Sequence, residues 1–237
     1  MLCQRALLAQ SDTTNINPWS GDIQFSFSNS SGNVNLRSHD YALQVKRSGE
    51  FNTIDFNWHF RNFIVSGTTV DEVQEGSILD IWRLSKRSRV YAKTSYYRNE
   101  FRGFDRRWKL GSGYLYQFVE KENFELATRT GYQMRISDVT IEGDYNQGLH
   151  HFLLVGFKSH LVIVENITLR VKLDYEQDFR RAANHIIESK GGFELKVNNW
   201  LSTLFTHSLL FSGLPIEGTM SLDQRISASI KIAFNES

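Results

Sequence analysis

The feature that most limits the fold is a two-residue alternation of apolar and polar side chains that recurs along nearly the whole chain. It is clearest around residues 107–118, where an apolar set alternates with a polar or glycine set: Trp108, Leu110, Tyr114, Tyr116 and Phe118 against Arg107, Lys109, Gly111, Gly113 and Gln117. A period of two produces a β-strand with one apolar and one polar face. A chain made of such strands must place all its apolar faces against one kind of surroundings.

About twelve alternating runs can be counted, separated by turns rich in Gly, Asn and Ser. Short turns are expected near residues 49, 86, 121, 160–166 and 198, and longer loops near residues 33, 66–71, 98–107, 135–147, 181 and 218. Short turns at one end and long loops at the other are typical of outer-membrane barrels. We therefore predict an all-β fold over residues 18–234: a closed antiparallel transmembrane β-barrel of about twelve strands, connected as an up-and-down meander.

The two ends of the chain are expected to lie outside the barrel. Residues 1–17 are interpreted as a signal-peptide remnant or a disordered segment, because Ala6-Leu7-Leu8-Ala9 resembles the end of a signal peptide. Residues 235–237 form a C-terminal tail. The single cysteine, Cys3, leaves no disulfide framework.

The apolar faces are predicted to meet lipid. Nearly every run carries four or five apolar positions, and aromatic residues at run ends (Trp19, Tyr175 and Trp200) suggest the girdles of a membrane barrel. The alternative is a soluble ligand-binding β-barrel or a β-sandwich, whose apolar faces would form a core. An even strand count places both termini on the short-turn side, which is periplasmic in the outer membrane of a Gram-negative bacterium.

Charged residues of the opposite parity are predicted to face the lumen as candidate pore lining: Asp22, Asp55, Arg61, Lys93, Arg107, Lys109, Glu125, Arg129, Arg170, Lys172, Asp174, Glu188, Lys190, Glu194, Lys196, Arg225 and Lys231. About twelve strands lie between the filled eight-stranded barrels and the open sixteen-stranded channels. The interior is therefore either closed by ion pairs or a narrow channel, and its basic excess would favour a small anionic solute.

Five arginines are assigned to the outer loops: Arg98, Arg102, Arg106, Arg180 and Arg181. Solvated loop charge explains them equally well, but guanidinium groups also match the phosphates of lipopolysaccharide. The last strand, up to Phe234, is the expected contact for the barrel-assembly machinery.

No catalytic or metal site is predicted. His150 and His151 are neighbours, as are His207 and Ser208, so each pair points to opposite faces of a strand. A membrane hydrolase, which needs such groups together, is therefore the weaker alternative. No cofactor is expected, and the net charge of +1 argues against nucleic acid.

The chain resembles the family of salt-induced outer membrane proteins, which carry a domain of unknown function. The resemblance rests on Trp19, Ser31-Gly32-Asn33 and the closing stretch Asp223 to Phe234. It rests also on a central block of matching residues: Tyr97, Arg98, Asn99, Phe101, Gly103, Asp105, Arg107, Gly111, Gly113 and Tyr116. It implies an outer-membrane barrel and supplies no functional residues. Asn99 stands where the family usually has an acid, and Asn235-Glu236-Ser237 follow the usual terminal aromatic.

Overall fold

The computed structural model describes residues 18–31, 36–65, 68–100 and 103–234. The strands are β1 (Trp19–Ser31), β2 (Leu36–Ser48), β3 (Asn52–Val65), β4 (Thr68–Arg83), β5 (Ser88–Asn99), β6 (Phe104–Lys121), β7 (Phe124–Val139), β8 (Gly148–Val164), β9 (Ile167–Asp178), β10 (His185–Lys196), β11 (Leu201–Ser212) and β12 (Leu222–Phe234). Among the described residues, no helix is long and apolar enough to cross a membrane.

Each strand pairs with the next in antiparallel orientation, and β1 closes the ring against β12. The closing register runs from Gly21 opposite Phe234 to Ser31 opposite Gln224. Closure leaves no strand edge unpaired, as hydrocarbon surroundings would require. The predicted closed, twelve-stranded, antiparallel meander is confirmed.

The apolar face of each strand points outward. In β12, Ile226 is 65 % exposed, whereas the next residue, Ser227, is 8 % exposed. The outer surface carries exposed large apolar side chains on nearly all strands, with Trp19 and Trp200 at the short-turn end and Tyr175 towards the loop end. A soluble barrel of the lipocalin kind would turn these side chains inward, so the arrangement runs against that alternative.

The strands extend further towards the loop end than the sequence suggests. The predicted loop at residues 66–71 is wrong, because β4 already begins at Thr68. The predicted loop at residues 98–107 is also wrong, because β5 continues to Asn99 and β6 begins at Phe104. The predicted loop at residues 135–147 begins only after Val139. At the loop end the outer face carries charges such as Arg106 and the inner face carries apolar side chains such as Phe104 and Val139, so the apolar-out, polar-in alternation no longer marks where the strand ends.

Two of the predicted outer-loop arginines therefore lie on strands. Arg98 is in β5 and pairs with Glu100, and Arg106 is in β6 with its guanidinium 3.0 Å from Asp138. Arg180 and Arg181 do lie in the β9–β10 connection. Arg102 lies outside the described residues, as do the predicted terminal segments 1–17 and 235–237.

One short connection, between β8 and β9, is shorter than predicted. The stretch 160–166 is mostly strand: β8 runs to Val164, with a register irregularity between Val162 and Val164, and β9 begins at Ile167. Similar irregularities interrupt β6 near Phe104 and near Gln117. Such bulges turn a side chain to the other face of the strand, so Phe104 and Arg107 share the interior.

Candidate functional site

A cavity of about 370 Å³ lies inside the barrel. Nine of the predicted lumen charges contribute to its wall: Arg61, Lys93, Arg107, Lys109, Arg129, Lys172, Asp174, Glu188 and Arg225. Their common parity, carried from strand to strand by the antiparallel register, brings them to the same face of the sheet. The cavity wall thus combines charged and polar groups with a similar share of apolar side chains, such as Leu154 and Ile216.

The remaining predicted lumen residues lie on the same parity but outside the cavity wall. Asp55 accepts hydrogen bonds from Gln44 (2.8 Å) and Asn57 (2.9 Å). The others are Asp22, Glu125, Arg170, Lys190, Glu194, Lys196 and Lys231. Glu125 and Lys196 are exposed near the short-turn end. Pore lining stays a prediction for all of these residues.

The first buried ion-pair group centres on Asp40, whose side chain is 1 % exposed. Its Oδ1 accepts from Arg61 Nε at 2.5 Å, and its Oδ2 accepts from Arg225. His59 Nε2 lies 3.8 Å from the same carboxylate. Asp40 therefore joins β12, β2 and β3 across the closing seam of the barrel.

The second group centres on Asp174 in β9. Arg129 reaches it from β7 with Nε at 3.0 Å from Oδ1 and an amino nitrogen at 2.6 Å from Oδ2. Lys172 lies 2.7 Å from the same carboxylate and 3.2 Å from Glu188. The pair passes over Gly156 of β8, where a Cβ atom would lie 2.9 Å from Arg129 Nε and collide with Asp174. Glycine at this position is what allows the bidentate pair to form.

The third group centres on Glu194 in β10, whose side chain is 2 % exposed. Lys231 donates to it from β12 at 3.2 Å, and Arg170 approaches from β9 at 2.5 Å. Apart from the Lys172–Asp174 pair within β9, the ion pairs of all three groups join strands one or two positions apart. They therefore run around the wall and do not bridge the diameter of the barrel.

Several lumen charges were missed at the sequence level. Glu176 in β9 pairs with Arg135 of β7, and Lys109 of β6 lies 3.7 Å from it. Arg135 lies in the stretch predicted to be a loop (residues 135–147), and Asp40 and Glu176 lie just beyond the predicted alternating runs. Extending each alternation by a few positions would have found them, because all three keep the interior parity.

The loop end of the cavity is covered by the β11–β12 connection (residues 213–221), which we call the latch. Ile216 of the latch is 2 % exposed and packs against Phe104 and Val139. These residues belong to β6 and β7, far around the ring from β11 and β12, so the latch crosses the mouth. Gly103 (φ +71°) accommodates it, because a Cβ there would lie 2.9 Å from Ile216 Cγ2.

The latch is also tied to the β7–β8 connection. Asn146 Nδ2 donates to the carbonyl of Leu214 (3.3 Å), and the backbone N–H of Glu217 donates to Asp144 (3.1 Å). The latch and Asn146 line the cavity together. The two connections together cover the loop end of the cavity. They are held in place by apolar packing at Ile216 and by hydrogen bonds at residues 144–146.

Asp178 anchors the β7–β8 and β9–β10 connections to each other at the loop end. Its carboxylate accepts hydrogen bonds from His150 (2.9 Å), Asn184 (2.8 Å) and Tyr145 (3.1 Å) and from the backbone N–H of Arg180 (2.8 Å). Burial and the neighbouring Asp178 carboxylate raise the pKa of Tyr145 above its ordinary value. Within the part of the chain that the structure describes, no group of three or more His, Cys, Asp or Glu could hold a metal ion.

A family model described as "Protein of unknown function, DUF481" matches residues 23–234. The chain belongs to this family. The match confirms the part of the predicted resemblance that concerns a domain of unknown function. The salt-induced designation stays a prediction. A search of curated proteins found no match to this DUF481 chain.

The DUF481 barrel has the fold of outer-membrane porins. It is similar to the NanC porin with a TM-score of 0.62 and 8 % identity, covering 89 % of this chain and 98 % of that one. It is similar to a KdgM porin in complex with disordered oligogalacturonate (TM-score 0.54, 8 % identity, 90 % and 99 % covered). It is also similar to the translocator domain of the autotransporter NalP from Neisseria meningitidis (TM-score 0.54, 12 % identity, 94 % and 90 % covered).

Proposed function

We propose that the protein is a non-enzymatic barrel of the Gram-negative outer membrane, with both termini in the periplasm. The outward apolar belt supports this location, because so many exposed apolar side chains are costly in water and favourable in acyl chains. β1 begins and β12 ends at the short-turn end of the barrel, which is the end that faces the periplasm in outer-membrane barrels, and this supports the proposed orientation.

Within that membrane we propose a narrow passage for small anions. The observation that carries this proposal is the charge of the cavity wall, where seven basic side chains face five acids. The basic side chains are Arg61, Lys93, Arg107, Lys109, Arg129, Lys172 and Arg225; the acids are Glu75, Asp174, Glu176, Glu188 and Asp223. A net positive lining in low-dielectric surroundings attracts anions and repels cations.

The solved structures that share this fold are consistent with such a role. One of them is a porin in complex with oligogalacturonate, a polyanion. The ion pairs of the lumen run around the wall, which leaves the centre for water and solute. The latch would then narrow the passage at the outer end.

Two partners are proposed for the outer surface. Arg180 and Arg181 are exposed at the loop end, where guanidinium groups can reach lipopolysaccharide phosphates. Arg181 is held over the Tyr145 ring at 5.0 Å, which limits its freedom. The barrel-assembly machinery is the proposed partner of β12 during insertion.

Planar-bilayer recording of the purified full chain tests the channel. Under a tenfold KCl gradient, we expect discrete conductance steps and a reversal potential of the sign that chloride preference gives. Lys172→Ala should move the reversal potential towards the cation-preferring side. Absence of any conductance, together with absence of solute uptake into vesicles, would contradict the channel and leave a closed envelope component.

A further inference from the structure

We infer that the lumen wall formed by β5, β6 and β7 contains a recess that binds the carboxylate of a small organic anion. The recess is centred on Gly111 and bounded by Lys93, Gln133 and the Tyr91 ring; we call it the Gly111 recess. The inference rests on the proposed anion passage and names the class of solute that the passage would hold.

The recess follows from the strand register. Lys93 of β5 stands opposite Gly111 of β6, which stands opposite Gln133 of β7. Neighbouring strands lie about 4.8 Å apart, so the Lys93 and Gln133 backbones are about 10 Å apart with no side chain between them. All three residues line the cavity. A lysine and an amide therefore flank an empty position at one level of the wall.

An aromatic ring forms the floor of the recess. Tyr91 lies one interior position from Lys93 towards the short-turn end and is 7 % exposed. Its hydroxyl oxygen lies 2.8 Å from where a Cβ of Gly113 would be and 2.5 Å from where a Cβ of Gly131 would be. The side chain therefore lies flat across β6 as far as β7, which only glycine at both positions permits. The ring is itself almost fully buried and closes the recess on its short-turn side.

Among the described residues, neither flanking donor has an ion-pair or hydrogen-bond partner. No carboxylate among the described residues lies within 4.0 Å of the Lys93 ammonium, although Glu75 and Glu188 act on it from farther away. Gln133 Nε2 is buried and has no hydrogen-bond partner within the described chain. A buried donor without an acceptor costs free energy, which a ligand oxygen would recover.

A carboxylate matches this pair of donors. Its two oxygens can accept from the Lys93 ammonium and from Gln133 Nε2 together, and hydrogen bonds to charged groups are the stronger kind. Lys109 stands at the next interior level towards the loop end, beside Ser95, with its ammonium 3.7 Å from Glu176. A cavity of about 370 Å³ has room for a ring-sized molecule beneath the latch.

Titration calorimetry of the full chain in detergent tests the recess. The probes are two isosteric pairs that differ in charge: benzoate against benzamide, and glucuronate against glucose. We expect at least one carboxylate to bind and its neutral isostere to bind at least tenfold more weakly. Lys93→Gln and Gln133→Glu should each weaken carboxylate binding at least tenfold, the second by placing a carboxylate where the amide donor stands.

Lys46→Gln is the matched control, because Lys46 shares the interior parity but lies near the short-turn end of β2. It should change carboxylate affinity less than twofold, and heat-modifiable migration on gels checks that each variant is folded. Equal loss in Lys46→Gln and Lys93→Gln, equal binding of the neutral isosteres, or no carboxylate binding by the wild-type protein would each overturn the recess. Conductance without carboxylate binding contradicts the recess alone, and binding without conductance contradicts the channel alone.

Discussion

Two parts of the lumen wall carry charge in opposite ways. Where β9 to β12 meet β1 to β3, each central carboxylate is buried among cations: Asp40 contacts Arg61 and Arg225, and Glu194 contacts Lys231 and Arg170. Across the barrel, on β5 to β7, some cations are also paired, as Arg129 is with Asp174, but Lys93 and Gln133 face the cavity without such partners among the described residues. The first wall uses charge to hold strands together, and the second leaves Lys93 in the Gly111 recess available to a solute.

The largest expected effect is on stability at the ion-paired wall. Glu194→Gln keeps the shape of the side chain but leaves Lys231, 8 % exposed, without its counter-ion. Breaking a buried pair on one side costs about 3–5 kcal/mol. We expect a loss of unfolding free energy in that range, measured by urea titration of the barrel in lipid vesicles.

Lys93→Gln is the counterpart on the other wall. Because Lys93 has no ion pair within the described residues, its loss should change the unfolding free energy by less than about 1 kcal/mol. Equal destabilisation by Glu194→Gln and Lys93→Gln would abolish the distinction between the walls.

The latch should control passage past both walls. Ile216→Ala removes the side chain that anchors the latch to Phe104 and Val139. Truncating a buried isoleucine costs about 2–5 kcal/mol, and about 1.4 kcal/mol corresponds to a factor of ten in an equilibrium. The open fraction in single-channel records should therefore rise at least tenfold.

Ile163→Ala is the matched control for the latch, since Ile163 is 51 % exposed on the outer face. It should leave the single-channel records unchanged. An unchanged open fraction in Ile216→Ala would show that the latch does not close the mouth.

A smaller effect is expected where an ion pair crosses a glycine. Gly156→Ala would place a methyl group against Asp174 and Arg129, forcing the pair apart. Overpacking of this kind costs about 1–3 kcal/mol. Gly191→Ala is the control, because nothing in the described structure lies within 4 Å of its Cβ position. Equal unfolding free energies for the two variants would remove the structural role assigned to Gly156.

The sequence revealed most of the barrel because alternation reports directly which face a side chain takes. Lys172 and Leu173 are a clear case: one lines the cavity and the other is 43 % exposed outside. Strand ends could not be predicted at the loop end, where the apolar-out, polar-in alternation breaks down. Arg135 was assigned to a loop for that reason.

The arrangement of charges within the lumen was beyond sequence reasoning. Which acid meets which base depends on the stagger between strands, and alternation does not report stagger. Asp40 and Arg225 are 185 positions apart and meet only because the barrel closes. The latch was expected only as a loop, since nothing in its sequence shows that Ile216 reaches the opposite wall.

Cysteine accessibility tests the central claim, that the charged face encloses water while the apolar face meets lipid. In a Cys3→Ser background, Lys109→Cys and Leu110→Cys place thiols on neighbouring residues of β6 that face opposite sides. With the barrel in lipid vesicles, a small membrane-impermeant, water-soluble thiol reagent should label Lys109→Cys and leave Leu110→Cys largely unlabelled. Labelling of both at similar rates, or of Leu110→Cys alone, would contradict the account.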